Sequence, residues 1–136
     1  MIVVCEPQVK GMSHEKVNSG FIYGLRLAYP QDKILFYADV SHIQGIKNIL
    51  EYDRVAIDNI EYIPIKFYDP YSFRGMITYH NLLKKIFTNS LSVGTNKIFF
   101  LSTNPVLLYL IKQLKEKSRF RSIQCAIVCH IEFENI

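Results

Sequence analysis

The sequence is poor in tryptophan and cysteine, with no Trp and three Cys among its 136 residues. Cys5, Cys125 and Cys129 all lie within apolar runs, and no two of them have the C-x-x-C spacing of zinc or redox sites. The odd number of thiols argues against a disulfide framework. We therefore expect buried, reduced cysteines, as in a cytosolic protein.

Long apolar stretches are absent too. No run approaches the ~20 apolar residues that span a bilayer, and the first residues lack the basic start and the apolar length of a signal peptide. The 16 Lys and Arg against 12 Asp and Glu give a net charge of +4, which permits an anionic partner without requiring one. We expect a soluble, cytoplasmic protein with a single domain, residues 1–136.

Several familiar motifs are missing as well. Residues 6–14, which follow the first apolar run, do not contain the G-x-G-x-x-G of dinucleotide-binding proteins. The chain has neither the G-x-x-x-x-G-K-[ST] of P-loop proteins nor the G-x-S-x-G of serine hydrolases. No metal-binding pair of carboxylates is evident. We therefore expect no cofactor and no metal.

The sequence does contain short apolar runs separated by amphipathic stretches. The runs are rich in Ile, Val, Phe and Tyr with little polar alternation, which is typical of parallel strands covered on both faces. The predicted strands are 2–5, 34–37, 62–67, 97–101 and 123–129. This order predicts an α/β fold, a Rossmann-like doubly wound parallel sheet of about five strands in three α/β/α layers.

Caps and apolar periodicity predict four helices between these strands, the third of them over about 71–88. The residues predicted to cap the first, second and fourth helices are Ser13, Ser41 and Asn104. The residues predicted to form the apolar face of the first helix, towards the sheet, are Val17, Phe21, Leu25 and Ala28. Gly20 and Gly24 destabilise a helix by roughly 1 kcal/mol each relative to Ala, so we expect them to allow close packing on the sheet.

The loop before the first helix holds one candidate site. Gly11 can offer backbone N–H groups to an anion at the positive end of the helix, with Lys10 and His14 beside it. Asn18 lies one turn after His14 on the same helix face. We predict Gly11, His14 and Asn18 as substrate-binding residues for a phosphate or a sugar hydroxyl. The alternatives are that Gly11 only makes the turn and that Asn18 lies on a solvated face.

His130 is the strongest single candidate. It follows the fifth predicted strand, and ligands of open α/β sheets bind outside the carboxyl ends of the strands. Its imidazole can donate or accept a hydrogen bond near neutral pH, and Glu132 could orient it or bind a substrate hydroxyl. We predict His130 as catalytic and Glu132 as substrate-binding, the alternative being two surface polar groups. His42, after the second strand, is interpreted equally as a cap-region side chain or a ligand contact.

Basic residues gather around the end of the fourth helix. They are Lys112, Lys115, Lys117, Arg119 and Arg121. Because cations are favoured at helix C-termini and no aromatic interleaving or binding module accompanies them, we expect a solvated helix end and no nucleic-acid partner. A weak contact with an anionic membrane is the lesser alternative, and exposure of aromatic residues such as Tyr71 or Phe73 would favour it.

Several segments together resemble a known family. They are Glu6-Pro7-Gln8, Gly11, Ser13-His14-Glu15 with Asn18, Leu27-Ala28-Tyr29-Pro30, Lys33-Ile34-Leu35-Phe36 and Val128-Cys129-His130. In these segments the chain resembles the N-terminal domain of glycosyltransferases of the GT-B fold. That domain chiefly holds the acceptor, and a second Rossmann-like domain binds the sugar nucleotide. The resemblance implies that Gly11, His14 and Asn18 border the cleft, and that His130 lies beside the transferred sugar.

We accordingly predict the acceptor-binding domain of a glycosyltransferase, incomplete without a nucleotide-binding domain. The chain alone is not expected to be active. Its partners would be a nucleotide sugar and a carbohydrate or lipid-linked acceptor, and its location cytoplasmic, peripheral to the inner membrane face. Because no helix follows the fifth strand, we expect either a longer natural chain or a covering subunit. The alternative is a non-catalytic Rossmann-like binding or assembly domain that self-associates through the uncovered sheet face.

Overall fold

Strands and helices alternate along the chain in a computed structural model, which describes residues 1–7, 14–66, 69, 71–95, 97–102 and 104–128. The strands are β1 (Ile2–Cys5), β2 (Ile34–Ala38), β3 (Ile60–Pro64), β4 (Lys97–Phe100) and β5 (Gln124–Ile127). The helices are α1 (Glu15–Ala28), α2 (Val40–Tyr52), α3 (Phe73–Ser92) and α4 (Pro105–Glu116). A short 3₁₀ turn, Ser118–Phe120, follows α4.

The five strands form one sheet in the order β3-β2-β1-β4-β5, and every neighbouring pair is parallel. The buried residues of α1 and α2 cluster on one face of this sheet, and those of α3 and α4 cluster on the other. The predicted three-layer, Rossmann-like α/β/α fold is thus confirmed. The chain builds outward from β1 to β3 and then returns to the other side of β1, so the switch point of the topology lies between β1 and β4.

The central strands are buried along their whole length because helices cover both faces. All four residues of β1 and all five of β2 are buried, as the scarcity of polar residues in these runs predicted. On the α3 and α4 face, the rings of Phe87 and Phe120 meet edge to face at 5.3 Å between centroids. This aromatic contact ties α3 to the turn after α4.

The helix starts agree with the predicted caps in part. Asn104 caps α4, since its Oδ1 accepts a hydrogen bond from the backbone N–H of Leu107 at 3.0 Å. For α2 the prediction of Ser41 was wrong: Asp39 is the cap, and its Oδ1 accepts from the N–H of Ser41 at 2.9 Å. Ser72 caps α3, which is longer than predicted. The predicted cap Ser13 lies outside the described residues.

The third strand begins and ends earlier than predicted. Residues 62–67 were expected, whereas β3 runs from Ile60 to Pro64. Pro64, which lacks a backbone donor, ends the strand, and β3 lies at the edge of the sheet. Both features agree with the positions that proline takes in sheets.

The inward face of α1 differs from the prediction. Leu25 is buried as expected, but Val17 is 53% exposed and Ala28 is also exposed. Two polar residues, Asn18 and Ser19, are buried instead. The spacing of apolar residues did not predict this buried face, because the helix places hydrogen-bonding side chains towards the end of the sheet.

The role predicted for the α1 glycines is also wrong. A Cβ atom built on Gly20 or Gly24 would meet no other atom within 4 Å. Both glycines therefore face open space on the outer side of α1. Close packing on the sheet cannot account for them, and nothing in the described structure explains them.

Two flanks of the sheet are less covered than the rest. On the α3 and α4 face, Ile63 and Ile65 at the β3 edge are only partly buried. On the α1 and α2 face, Gln124 and Ala126 of β5 are exposed, whereas Cys125 and Ile127 of the same strand pack against the core of the opposite face. The two flanks lie on opposite faces and at opposite edges.

A buried arginine holds the other end of the sheet together. Arg26 is 9% exposed, and its Nη1 donates to the carbonyls of Tyr29, Pro30 and Asp32 at 3.1, 3.3 and 2.7 Å. Its Nη2 donates to the carbonyl of Asn59 at 3.2 Å. One guanidinium thus connects the turn before β2 with the turn before β3.

We expect Arg26→Met to lower the free energy of unfolding by roughly 2–4 kcal/mol, because partly buried carbonyls would lose a charged donor that water can replace only in part. Arg26→Lys should recover only part, since one ammonium cannot reach four carbonyls in this geometry. Urea denaturation measures both. Arg74→Met, at an exposed arginine of α3, is the matched control, and an equal loss in that variant would contradict the role of Arg26.

Candidate functional site

Four polar side chains are buried together at the carboxyl end of the sheet, beside the switch point. Glu6 follows β1, Asn18 lies on α1, His42 lies on α2 and Ser102 follows β4. Their exposed fractions are 1%, 1%, 0% and 7%. We call these four residues the switch-point cluster. Open α/β sheets bind ligands at this place, and it is the candidate site of this protein.

The position of Glu6 follows from the register of β1. Side chains alternate along a strand, and Ile2 and Val4 face α1 and α2, so Glu6 faces the same helices. Its backbone is held on the sheet, because the N–H of Glu6 donates to the carbonyl of Tyr37 at 2.8 Å. The next residue is held from the opposite layer, where the Tyr79 hydroxyl donates to the carbonyl of Pro7 at 2.6 Å.

The Glu6 carboxylate joins two strand ends with one helix. Its Oε1 accepts a hydrogen bond from the Ser102 hydroxyl, and its Oε2 accepts one from Asn18 Nδ2 at 3.0 Å. A buried carboxylate requires such donors, since an unpaired one is very costly. The cluster therefore places one carboxylate, with two donors, between β1 and β4.

The hydrogen bond between the Asn18 amide and the His42 ring determines the tautomer of His42. Asn18 Nδ2 lies 2.9 Å from His42 Nε2 while also donating to Glu6. An amide nitrogen only donates, so His42 Nε2 is the acceptor and the ring proton is on Nδ1. This assignment is inferred from the hydrogen-bond network. Both amide hydrogens of Asn18 are therefore used.

Three buried polar atoms near the start of α1 and α2 lack a hydrogen-bond partner among the described residues. They are Glu15 Oε1, Asn18 Oδ1 and His42 Nδ1. The great majority of buried polar atoms in proteins have a hydrogen-bond partner, so each atom without one requires an explanation. Two of these atoms belong to the switch-point cluster, where they provide one acceptor and one donor.

The carboxylate of Glu15, whose Oε1 lacks a hydrogen-bond partner in the described part of the chain, lies against Gly45 of α2. Glu15 is 7% exposed, and a Cβ atom at position 45 would overlap its carboxyl group. The absence of a side chain on Gly45 thus makes the space that Glu15 occupies between the two helices. Glu15 is therefore a third buried polar residue of this region with a side-chain atom that lacks a hydrogen-bond partner among the residues described.

Cys5 lies next to Glu6 but is not suited to act as a nucleophile. Burial raises the pKa of the Cys5 thiol well above its ordinary value, and the neighbouring Glu6 charge raises it further. Because the thiolate is the nucleophilic form, Cys5 remains an inert thiol. It belongs to the core on the α3 and α4 face.

The residues predicted from the sequence are only partly described. Gly11, His130 and Glu132 lie outside the described residues, so their predicted roles stay predictions. His14 has a left-handed backbone conformation with a φ of 62° and is half-buried. It lines a cavity of about 340 Å³ that includes Ile49 of α2 and no member of the switch-point cluster. Asn18, in contrast, is a central member of the cluster.

Sequence reasoning missed two cluster residues and left a third undecided. Glu6 and Ser102 were not selected, although each directly follows an apolar run at the sheet's carboxyl end. The interpretation of His42 as a contact residue was left equal to a capping role, and the structure assigns the cap to Asp39. One sequence signal could have identified Glu6. It continues the alternation of Ile2 and Val4 along the strand, so its side chain is expected on the same face of the sheet.

No protein-family model and no curated protein matches this chain significantly. Within the described residues, no group of three or more His, Cys, Asp or Glu side chains is arranged to hold a metal ion. In the same part of the chain, none of the helices has the length and apolar character needed to cross a membrane.

We expect Asn18→Leu to lower the free energy of unfolding by about 2–3 kcal/mol, because Glu6 and His42 would both lose a buried donor. The same change should remove the preference of His42 for the Nδ1–H tautomer. Chemical denaturation measures the first effect, and ¹⁵N NMR of the imidazole nitrogens measures the second. The exposed Asn81 of α3 offers the control Asn81→Leu, and an unchanged tautomer in Asn18→Leu would contradict the proposed hydrogen bond.

Proposed function

We propose that this chain is the acceptor-binding domain of a glycosyltransferase, and that the switch-point cluster takes hydroxyl groups of a carbohydrate acceptor. The observation that carries this proposal is the buried Glu6 carboxylate between β1 and β4, held by Asn18 and Ser102. The Rossmann-like fold and the resemblance of segments such as Glu6-Pro7-Gln8 to GT-B enzymes support it. The sugar nucleotide would bind a second domain.

The chemistry of the cluster suits a hydroxyl group. A sugar hydroxyl both donates and accepts a hydrogen bond. The cluster offers one acceptor, Asn18 Oδ1, and one donor, His42 Nδ1, that no described residue satisfies. Such pairing also gives specificity, since a site built for hydroxyl groups rejects an analogue that lacks them.

Glu6 would act on the proton that transfer releases. When the acceptor oxygen attacks the sugar carbon, it forms the new glycosidic bond and loses its proton, while the nucleotide diphosphate leaves. A carboxylate within hydrogen-bond reach can serve as the general base for that proton. Ser102 donates to Glu6 and keeps lone pairs for a substrate hydroxyl, so it would be the first group that an acceptor meets.

Titration of the 136-residue chain with a panel of oligosaccharides tests the proposal. Saturable NMR shifts are expected at the backbone amides of Glu6, Asn18 and Ser102, with no comparable response to uridine or guanosine diphosphate. Glu6→Gln keeps the shape but removes the charge, and should weaken oligosaccharide binding at least tenfold. Glu51→Gln, at an exposed carboxylate near the end of α2, is the matched control.

Three outcomes would count against the acceptor role. Nucleoside diphosphate shifts centred on the cluster would indicate a nucleotide-binding domain instead. Oligosaccharide binding that survives Glu6→Gln unchanged would assign the sugar site elsewhere. Absence of shifts with every oligosaccharide and every nucleotide would favour a non-catalytic domain.

A second candidate is a non-catalytic assembly domain, and the β5 flank is the observation that favours it. A cavity of about 300 Å³ lies there, lined by Tyr29, Lys97, Phe99, Gln124 and Ala126 among others. Phe99 and Val128 are only partly buried. Under this proposal a second copy of the chain would cover the flank, because burial of such apolar surface favours association.

Light scattering over a range of protein concentrations tests the assembly role. A dimer is expected, and Ala126→Glu, which adds a charge to this exposed flank, should shift the protein towards the monomer. Ser92→Glu, at an exposed position of α3 on the opposite face, should leave the dimer intact. A strictly monomeric protein at all concentrations would contradict the assembly role.

A further inference from the structure

A groove runs between the outer strand β3 and helix α3, away from the switch-point cluster. Its volume is about 430 Å³, within the ~300–1,000 Å³ typical of small-molecule sites. From the helix it is lined by one stripe of side chains at positions 78, 82, 85, 86 and 89. From the strand side it is lined by Ile63 and Ile65, which alternate onto the same face.

The floor of the groove is apolar. Ile63, Ile65 and Leu82 are partly buried hydrophobic residues packed against the core of the α3 and α4 face. Tyr37 and Ile86 lie beneath them and are almost fully buried. An apolar ligand chain placed here would be removed from water on the side that faces the protein, which favours its binding.

The rim of the groove carries unbalanced positive charge. Lys66 and Lys85 line it, both are exposed, and neither has an acidic partner among the described residues. Glu61, the acidic residue of the lining, is paired with Lys33 at 2.8 Å. The helix adds no opposing charge, because α3 contains no Asp or Glu.

We infer that the groove binds a single-chain amphipathic anion, a monoalkyl phosphate, with its chain on the apolar floor and its head between Lys66 and Lys85. A phosphate monoester carries about −1.5 to −2 charges at neutral pH, which matches two lysines. This inference is independent of the proposed function, because no residue of the switch-point cluster lines the groove.

Isothermal titration of the chain with decyl phosphate, below its micelle concentration, tests the inference. Decyl phosphate should bind with saturation, whereas decyl maltoside and inorganic phosphate should not bind measurably, since each lacks one half of the ligand. Methyl NMR signals of Ile63 and Leu82 should shift with decyl phosphate. Glu6→Gln should leave this binding unchanged, which separates the groove from the switch-point cluster.

The double variant Lys66→Glu/Lys85→Glu should weaken decyl phosphate binding at least tenfold. The matched control is Lys84→Glu/Lys112→Glu, which changes the net charge equally at exposed lysines outside the groove lining and should change binding less than twofold. Should the double variant unfold, Lys85→Ala supplies the charge test, with an expected loss of several-fold.

Several results would overturn the inference. Equal weakening in both double variants would show that only the net charge matters, and equal binding of decyl maltoside would show that the head group is not recognised. Binding of anionic phospholipid vesicles that depends on Phe73, which is 81% exposed, would favour membrane contact by the start of α3. A change of oligomeric state in the groove variants would indicate a second copy of the chain as the occupant.

Discussion

The side-chain amide of Asn18 donates one hydrogen bond to the Glu6 carboxylate and another to the His42 ring. These two bonds join α1 to the end of β1 and to α2, and Glu6 extends the connection to Ser102 after β4. The distance of the helix pair from the carboxyl end of the sheet is thereby fixed by polar geometry. Because Asn18 is bonded on both sides, the cluster favours the observed orientation of α1.

The outline of the fold could be predicted because it depends on local signals. Continuous apolar runs indicated buried strands, and Asn104 before Pro105 marked the start of α4 correctly. The inward face of α1 could not be predicted in the same way. Counting apolar residues placed Val17 towards the sheet, whereas the hydrogen bonds of Asn18 rotate the helix so that Val17 is 53% exposed.

The candidate site depended on contacts that no local pattern contains. Glu6 and Ser102 are 96 positions apart along the chain, and only the parallel pairing of β1 with β4 brings them together. Asn18 was selected from its helix position, but its partners could not be named without the topology. His42 was undecided because its role depends on Asp39 taking the capping position.

The positions of the two less covered flanks of the sheet have a consequence for binding. One lies at β3 on the α3 and α4 face, and the other lies at β5 on the α1 and α2 face. With adjacent strands about 4.8 Å apart, the five-stranded sheet separates them by about 19 Å. Sites so far apart and with no shared partners contribute nearly additive free energies. Under the two proposals made for these flanks, occupation of one flank should leave the affinity of the other unchanged.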